Sequence, residues 1–466
     1  MTTLLWFEID RASEKTLTEQ VYEKISQKIL DTSLKENEKI PSSRELANSL
    51  GISRNVVLEA YHQLEAEGYI QIRARSGTFV STGTSISQIK NKANYHSSSH
   101  LTFPIENITI DFKAGNPAMD HFPRHTWGKI AKEVCLDSPN SLFGYLPKEG
   151  VSDLQNALAT YLKKMRGVTC HPRQIVITSG ATQALSFITK LLIDKGIFVA
   201  VEDPVTDEMR NIFTTGGAKV KPIPTDELGI IPSELPRNEQ PHFLFVIPSH
   251  QFPLGGTLPI QRRIELITYA REHNCYIVED DYDSEFTYEG VPVRSMQGLA
   301  PEQVIYVGTF SKILSPALRI GYAVLPEELV APFQHLKWYS DRHNSSLEQL
   351  VLARFITEGH LQKHIRKMKK IYQKRRETLV QELNRHFPFV SIIGQKAGMH
   401  LVVDFKHVEF TSDLMQKINK NGVTVYPVEN YAMEKGRHNA KIVMGYGSLS
   451  EEQIRKGVAL LKEVLH

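Results

Sequence analysis

Cysteine is scarce: Cys135, Cys170 and Cys275 stand far apart in a chain of 466 residues. They form no C-x-x-C and no Cys/His ligand spacing, so the pattern points to neither a disulfide framework nor a metal site. The odd count fits a reducing compartment. Long hydrophobic runs are missing too, and none approaches the roughly 20 residues of a membrane span. The N-terminus, MTTLLWFEIDR, has acids where a secretory signal would carry its basic flank. An excess of one charge is also lacking. Fifty-five Lys and Arg against 52 Asp and Glu leave +3, too little to imply a nucleic-acid or membrane partner by itself. With 41% hydrophobic and 23% charged residues, the chain reads as a soluble, cytoplasmic, globular protein. Its length calls for about two to four domains.

What is present divides unequally. Residues 1–80 form a compact first unit. Residues 81–108 begin with STGTSISQIKNKANYHSSSHLT, rich in Ser, Asn and Thr, which cannot bury much surface and reads as a linker. Residues 109–466 hold short apolar runs, among them QIVITSG, FVAVEDP, HFLFVIPS, CYIVEDDY and VIYVGTFS, each followed by a helix-like segment or a loop. That alternation predicts an α/β unit with a mostly parallel central sheet.

In the first unit, Ser42 and Glu45 form a capping box that starts a helix through Leu50. Gly51 supplies a turn and Ser53 caps a second helix. Val56, Val57, Ala60, Tyr61 and Leu64 then recur at helical spacing until Gly68. Two helices across a tight glycine turn make a helix-turn-helix. YIQIRARSGTFV alternates and turns at Ser76-Gly77, giving a two-stranded wing with Arg73 and Arg75 near its tip. Charge alone favours a structural bundle, since residues 1–80 hold ten basic against twelve acidic residues. Position weighs the other way. Ser43, Arg44, Ser53, Arg54, Asn55, Arg75, Gly77 and Thr78 fall where a winged helix meets DNA. The stretch closely resembles the GntR-type winged helix, with RSGTFV where many relatives have GSGTFV. The resemblance implies double-stranded promoter DNA as a partner.

In the second unit, ITSGATQAL ends a strand and opens a helix at Gly180-Ala181-Thr182, a geometry that aims backbone N–H groups at an anion. Asp280 and Tyr282 lie two apart in EDDYDSEF, on one face if the strand continues. GTFSKILSPALRIGY offers the Thr309 and Ser311 hydroxyls, the Lys312 amine and the Arg319 guanidinium. A phosphate nest, a carboxylate, a phenol and an amine are together what pyridoxal phosphate needs.

The whole chain except the linker resembles the MocR/GabR family, a GntR winged helix fused to a fold-type-I aminotransferase-like domain. The stretches that carry this include FKAGNPAMDHFPRHTW, VITSGATQAL, VIPSHQFPLGG, EDDYDSEF and GTFSKILSPALRIGY. The resemblance implies a smaller C-terminal α+β subdomain and a homodimer. It also implies Lys312 for the Schiff base, Asp280 for the pyridine nitrogen and Tyr282 for the phenolic O3′. Ala181, Thr182, Thr309 and Arg319 would surround the phosphate, and His250 or Gln251 would replace a missing asparagine. Two departures bear on chemistry. Thr206 stands where the family has an aromatic over the ring, and Val443 where many aminotransferases have the arginine that grips the substrate carboxylate. Lys441, Arg342 and His343 are the candidate substitutes. The expectation is a transcription regulator that senses an amino compound or pyridoxal phosphate itself, with at most weak transaminase activity. A working aminotransferase and a scaffold that binds the cofactor only to complete its fold are the alternatives.

Overall fold

The computed structural model describes residues 7–84, 109–193 and 198–465, which fall in two compact units divided near residue 102. Most of the expected linker, residues 85–108, lies outside the described residues.

The first unit is built on capping. Helix α1 (Leu17–Leu30) starts from Thr16 and α2 (Ser43–Leu50) from Ser42. Each hydroxyl accepts the backbone N–H three residues on, and the glutamate there reaches back. Gly51 ends α2 at φ 63°, where a side chain would be strained. Ser53 opens α3 (Arg54–Ala66) by accepting from the Asn55 N–H at 3.2 Å. Val57, Ala60, Tyr61 and Leu64 of α3 meet Val21, Ile25 and Ile29 of α1 and Leu46 of α2 in one core. The expected two-stranded wing is a three-stranded antiparallel sheet. Strand β3 (Gly77–Val80) lies between β1 (Lys39–Ile40) and β2 (Ile70–Arg73). The extra strand is two residues long and ends at Pro41, too short to show a period.

The second unit opens with β4 (Ile110–Asp111), and eight strands then form its large sheet. They are β5 (Ile175–Thr178), β6 (Phe198–Asp203), β7 (Lys219–Asp226), β8 (Gly229–Ile230), β9 (Phe243–Val246), β10 (Tyr276–Asp281), β11 (Val304–Thr309) and β12 (Gly321–Val324). Their order is β5-β12-β11-β10-β9-β6-β7-β8, with β12 and β8 running against the rest. Helices cover both faces, and β5, β9, β11 and β12 are buried along their whole length. Ile175 and Ile177 pack towards α4 (Arg124–Asp137) and α5 (Ser152–Arg166). Val176 packs towards α6 (Ala181–Leu192) and α7 (Asp207–Thr215). A smaller antiparallel sheet, in the order Ser391–Ile393, His400–Asp404, Lys441–Gly445, Tyr426–Pro427, carries helices His360–His386 and Glu451–Leu465 over its own core. That is the expected α+β subdomain. No described helix is long and apolar enough to cross a membrane.

Candidate functional site

Strand register gathers the site in the second unit. Thr178 pairs with Gly321, Gly321 with Thr309, and Asp281 with Gly308. The ends of β5, β11 and β10 and the start of β12 therefore form one row along a single sheet edge. Ligands of open α/β sheets bind at this carboxyl edge.

At the β5 end, Gly180 turns at φ 93° and α6 begins at Ala181. A Cβ on Gly321 would lie 2.7 Å from Gly180 Cα, so glycine at both positions lets β12 run against the turn. Arg319, itself at φ 50°, donates from Nη2 to the Ser179 carbonyl at 2.7 Å. An exposed guanidinium is thereby held beside the free N–H groups of the α6 N-terminus, a ready anion site. The exposed Thr182 hydroxyl donates to Glu208 Oε1 at 3.0 Å. Thr309 is buried, and its hydroxyl donates to Ser311 Oγ at 3.1 Å.

A circuit underlies this turn. Ser179 N–H donates to Gln183, Gln183 to Asp341, Lys337 to both Asp341 and Asn344, and Asn344 to Ser179 Oγ. Lys337 is fully buried, and burial holds its ammonium below the usual lysine range. No motif in the sequence marks this circuit, because its members come from separate segments.

Lys312 lies in the turn after β11, half-buried. Burial lowers its pKa, against the opposing pull of Asp283, Glu208 and Asp280. Asp280, near the end of β10, is buried, and its Oδ1 has no hydrogen-bond partner among the described residues. Burial pushes its carboxyl up to about 7, helped by Asp281 and Asp283. Tyr282 sits one residue beyond the strand's end, and its hydroxyl donates to the His250 carbonyl at 3.0 Å. The buried His250 ring faces Asp283 Oδ2 at 3.1 Å and the Gly394 carbonyl at 3.3 Å, and it packs against His400. Ligand atoms of His250, Asp283 and His400 lie within 4.8 Å of one another, but His400 Nε2 also faces a carbonyl, that of Pro253. Gln251 spends its side-chain amide on the Pro204 and Phe252 carbonyls.

The departures are structural facts too. Thr206 caps α7, accepting from the Met209 N–H. Val443 is fully buried in a small apolar cluster with Leu254, Val402 and Val428. Arg342 stacks on the Tyr145 and Trp338 rings, and His343 Nδ1 faces the Asn344 carbonyl. Lys441 stands beside His438 at the opposite end of the Lys441–Gly445 strand from Gly445.

In the first unit, Arg44, Ser53, Arg54, Asn55 and Arg75 are exposed, while Ser43 and Gly77 are half-buried. Thr78, the remaining residue expected at DNA, is buried. The strand's alternation turns its side chain inward with Val80, leaving it 7% exposed. Arg73 is drawn from the tip onto the Phe79 ring, 4.7 Å from its centroid.

Residues 107–460 match the aminotransferase class I and II family, and residues 17–80 match the gntR family of bacterial regulatory proteins. The chain belongs to the MocR-type transcription regulators. It is 35% identical to the uncharacterized HTH-type transcriptional regulator YdeL of Bacillus subtilis, covering 97% of this chain and 98% of that protein. The probable rhizopine catabolism regulatory protein MocR of Rhizobium meliloti is 33% identical, over 97% of this chain and 94% of its own. Among solved structures, the α-aminoadipate aminotransferase LysN of Thermus thermophilus, complexed with N-(5'-phosphopyridoxyl)-L-leucine, superposes with a TM-score of 0.70 at 27% identity. That match covers 77% of this chain and 92% of the other.

Pyridoxal phosphate is therefore the cofactor of the second unit, and the winged helix is the regulator's DNA-binding unit. The residues present fit the cofactor. A buried carboxylate oxygen without a partner is costly unless a donor arrives, and a protonated pyridine nitrogen is such a donor for Asp280 Oδ1.

Proposed function

We propose that this regulator holds pyridoxal phosphate through Lys312 and uses it to sense a small amine, or the cofactor itself, and so control promoter binding. The single observation that carries the reading is the unpartnered Asp280 Oδ1, on the sheet edge shared with the Lys312 turn and the α6 N-terminus, in a chain that also carries a winged helix. When bound, the cofactor supplies an electrophilic aldehyde carbon. Lys312 presents the amine to it, and burial keeps more of that amine neutral and nucleophilic. Asp280 holds a proton on the pyridine nitrogen, and Tyr282 serves the phenolic oxygen with His250 behind it. Ala181, Thr182, Thr309 and Arg319 take the phosphate. For Thr182 this requires its hydroxyl to leave Glu208.

Promoter contact falls to Ser43, Arg44, Ser53, Arg54, Asn55, Arg75 and the backbone at Gly77. The site works in a cytoplasmic homodimer whose two winged helices engage paired half-sites. The enzyme reading is weaker, because the place of a carboxylate clamp is filled by the apolar Val443.

The test is an absorbance spectrum with a promoter-binding assay beside it. Purified protein should show a band near the visible edge, absent in Lys312→Ala, and an amine that shifts the band should change operator affinity. A wild-type band surviving in Lys312→Ala overturns the Lys312 assignment. Operator affinity indifferent to both the cofactor and every band-shifting amine overturns the sensing role.

A further inference from the structure

We infer that Lys113 reads the anionic group of the effector, so that the site selects amines bearing a compact anion although no arginine stands at Val443. This rests on the reading that an amine effector acts at cofactor held by Lys312.

Residues 112–115 bridge the two places that matter. At one end, the Phe112 carbonyl accepts from the Gly445 N–H at 2.8 Å, and a Cβ on Gly445 would lie 2.4 Å from the Lys113 carbonyl oxygen. This segment is therefore pressed against the end of the strand that carries Val443. At the other end, a Cβ on Gly115 would lie 3.0 Å from Lys312 Nζ. Only Ala114 stands between Lys113 and the glycine that faces the reactive nitrogen. Its side chain is exposed, and no described acid pairs with it.

Arg342 and Lys441, the two other cations considered for this role, are committed elsewhere, and Arg319 belongs to the proposed phosphate end. Arg342 lies on two aromatic rings, and Lys441 is four residues from Gly445, beside His438. Electrostatics agrees with the geometry: Lys113 is the cation whose charge weighs most on Lys312, set against the acids Asp283, Glu208 and Asp280. Those acids make the surroundings unwelcoming to an anion unless a cation offsets them.

The residue type sets the selectivity. An arginine fork matches a planar carboxylate in two parallel hydrogen bonds, whereas an ammonium acts as a point charge with freely rotating donors. Lys113 should thus accept a tetrahedral sulfonate about as well as a planar carboxylate, and both far better than no anion. The exchange needs no added reagent. With the cofactor bound, the amine nitrogen would take the place of the Lys312 nitrogen on the cofactor's imine carbon, and Lys312 would take up the proton that the amine gives up.

The experiment titrates the cofactor band of the full-length holoprotein with 3-aminopropanoate, 2-aminoethanesulfonate and propylamine. Wild type should respond to the two anionic amines at concentrations about tenfold or more below propylamine, roughly the discrimination expected of one charge-assisted contact. Lys113→Ala should bring all three within about threefold, and Lys113→Arg should restore the preference, now favouring the carboxylate. The inference is overturned if Lys113→Ala keeps the wild-type preference. It is equally overturned if wild type shows none, including the case where no amine moves the band. Each of those results leaves the Lys312 assignment and promoter binding standing, since the band itself and operator affinity are read separately.

Discussion

Arg166 and Asp281 form a buried ion pair, Nε to Oδ2 at 2.7 Å with both side chains 3% exposed, one residue along the strand from the unpartnered Asp280. Strand alternation sends the two carboxylates to opposite faces. Asp281 also accepts from the Tyr306 hydroxyl, while Arg166 donates to the Val293 carbonyl and Ser249 Oγ. The charge of one acid is neutralised within the fold, and its neighbour has no cation paired with it among the described residues.

Removing one partner of such a pair leaves a buried charge without compensation. Arg166→Met should therefore cost about 3–5 kcal/mol of stability with or without cofactor. Urea unfolding of both forms checks this, and a loss confined to the cofactor-bound form would contradict it.

Asp280→Asn should do the reverse in the cofactor-free protein. The Asp280 carboxyl is raised to about 7 when folded, against about 3.9 in an unfolded chain. The folded state binds more protons between these values, so stability falls as pH rises from about 4 to 7 and levels off above. Asn removes that penalty, and its advantage should grow across this window to a limit of about 4 kcal/mol. Cofactor affinity should fall in the same variant. Melting of the cofactor-free proteins at pH 5 and pH 8 decides it: a pH-independent difference would show that Asp280 does not titrate there.

The five apolar runs read from the sequence are β5, β6, β9, β10 and β11, because strands buried on both faces are continuous hydrophobic words. Strand β12 begins on the last two residues of GTFSKILSPALRIGY and runs only to Val324, four residues in all, too short to stand out after the lysine and arginine before it. Ser42, Gly51 and Ser53 announced the helix-turn-helix because capping is local chemistry. The ring through Ser179, Gln183, Asp341, Lys337 and Asn344 is not local, and no spacing rule reveals it. Lys113 was passed over because an exposed lysine gains meaning only from what folding sets beside it.

Arg54 and Arg75 should fail differently on DNA. Arg54 opens α3; as the proposed reader of a base edge, its replacement in Arg54→Ala should lose about 1–3 kcal/mol and relax specificity. Arg75, at the wing tip with φ 63°, should weaken all sequences alike and shallow the salt slope by about one. Wild-type operator affinity in both variants at physiological salt would remove the winged helix from promoter contact.

Turnover should be absent or slow with common amino donors, far below the roughly 10 s⁻¹ of typical enzymes. Val443 offers a substrate carboxylate no donor, and Lys113 supplies a charge without the two-pronged grip that fixes the Cα–H bond. Single-turnover and steady-state assays test this. Enzyme-like rates would make the domain a catalyst.

Assembly gives the last prediction. Tyr145, Trp338 and Tyr339 are exposed, and Arg342 bridges the first two rings. Large aromatics with an arginine are what interface centres favour, so a second copy of the chain is expected to cover this surface. A dimer carries two α3 helices, and its operator should contain two half-sites. Sedimentation of the full-length protein should give a dimer at micromolar concentration. Replacing Trp338 and Tyr339 with Asp should shift it to monomer and cost operator affinity while leaving single half-site contacts intact. Footprints on operators with half-sites moved apart in half-turn steps should show a preferred spacing that a band-shifting amine alters. A monomeric wild type, or full affinity for a single half-site, would rule out paired recognition.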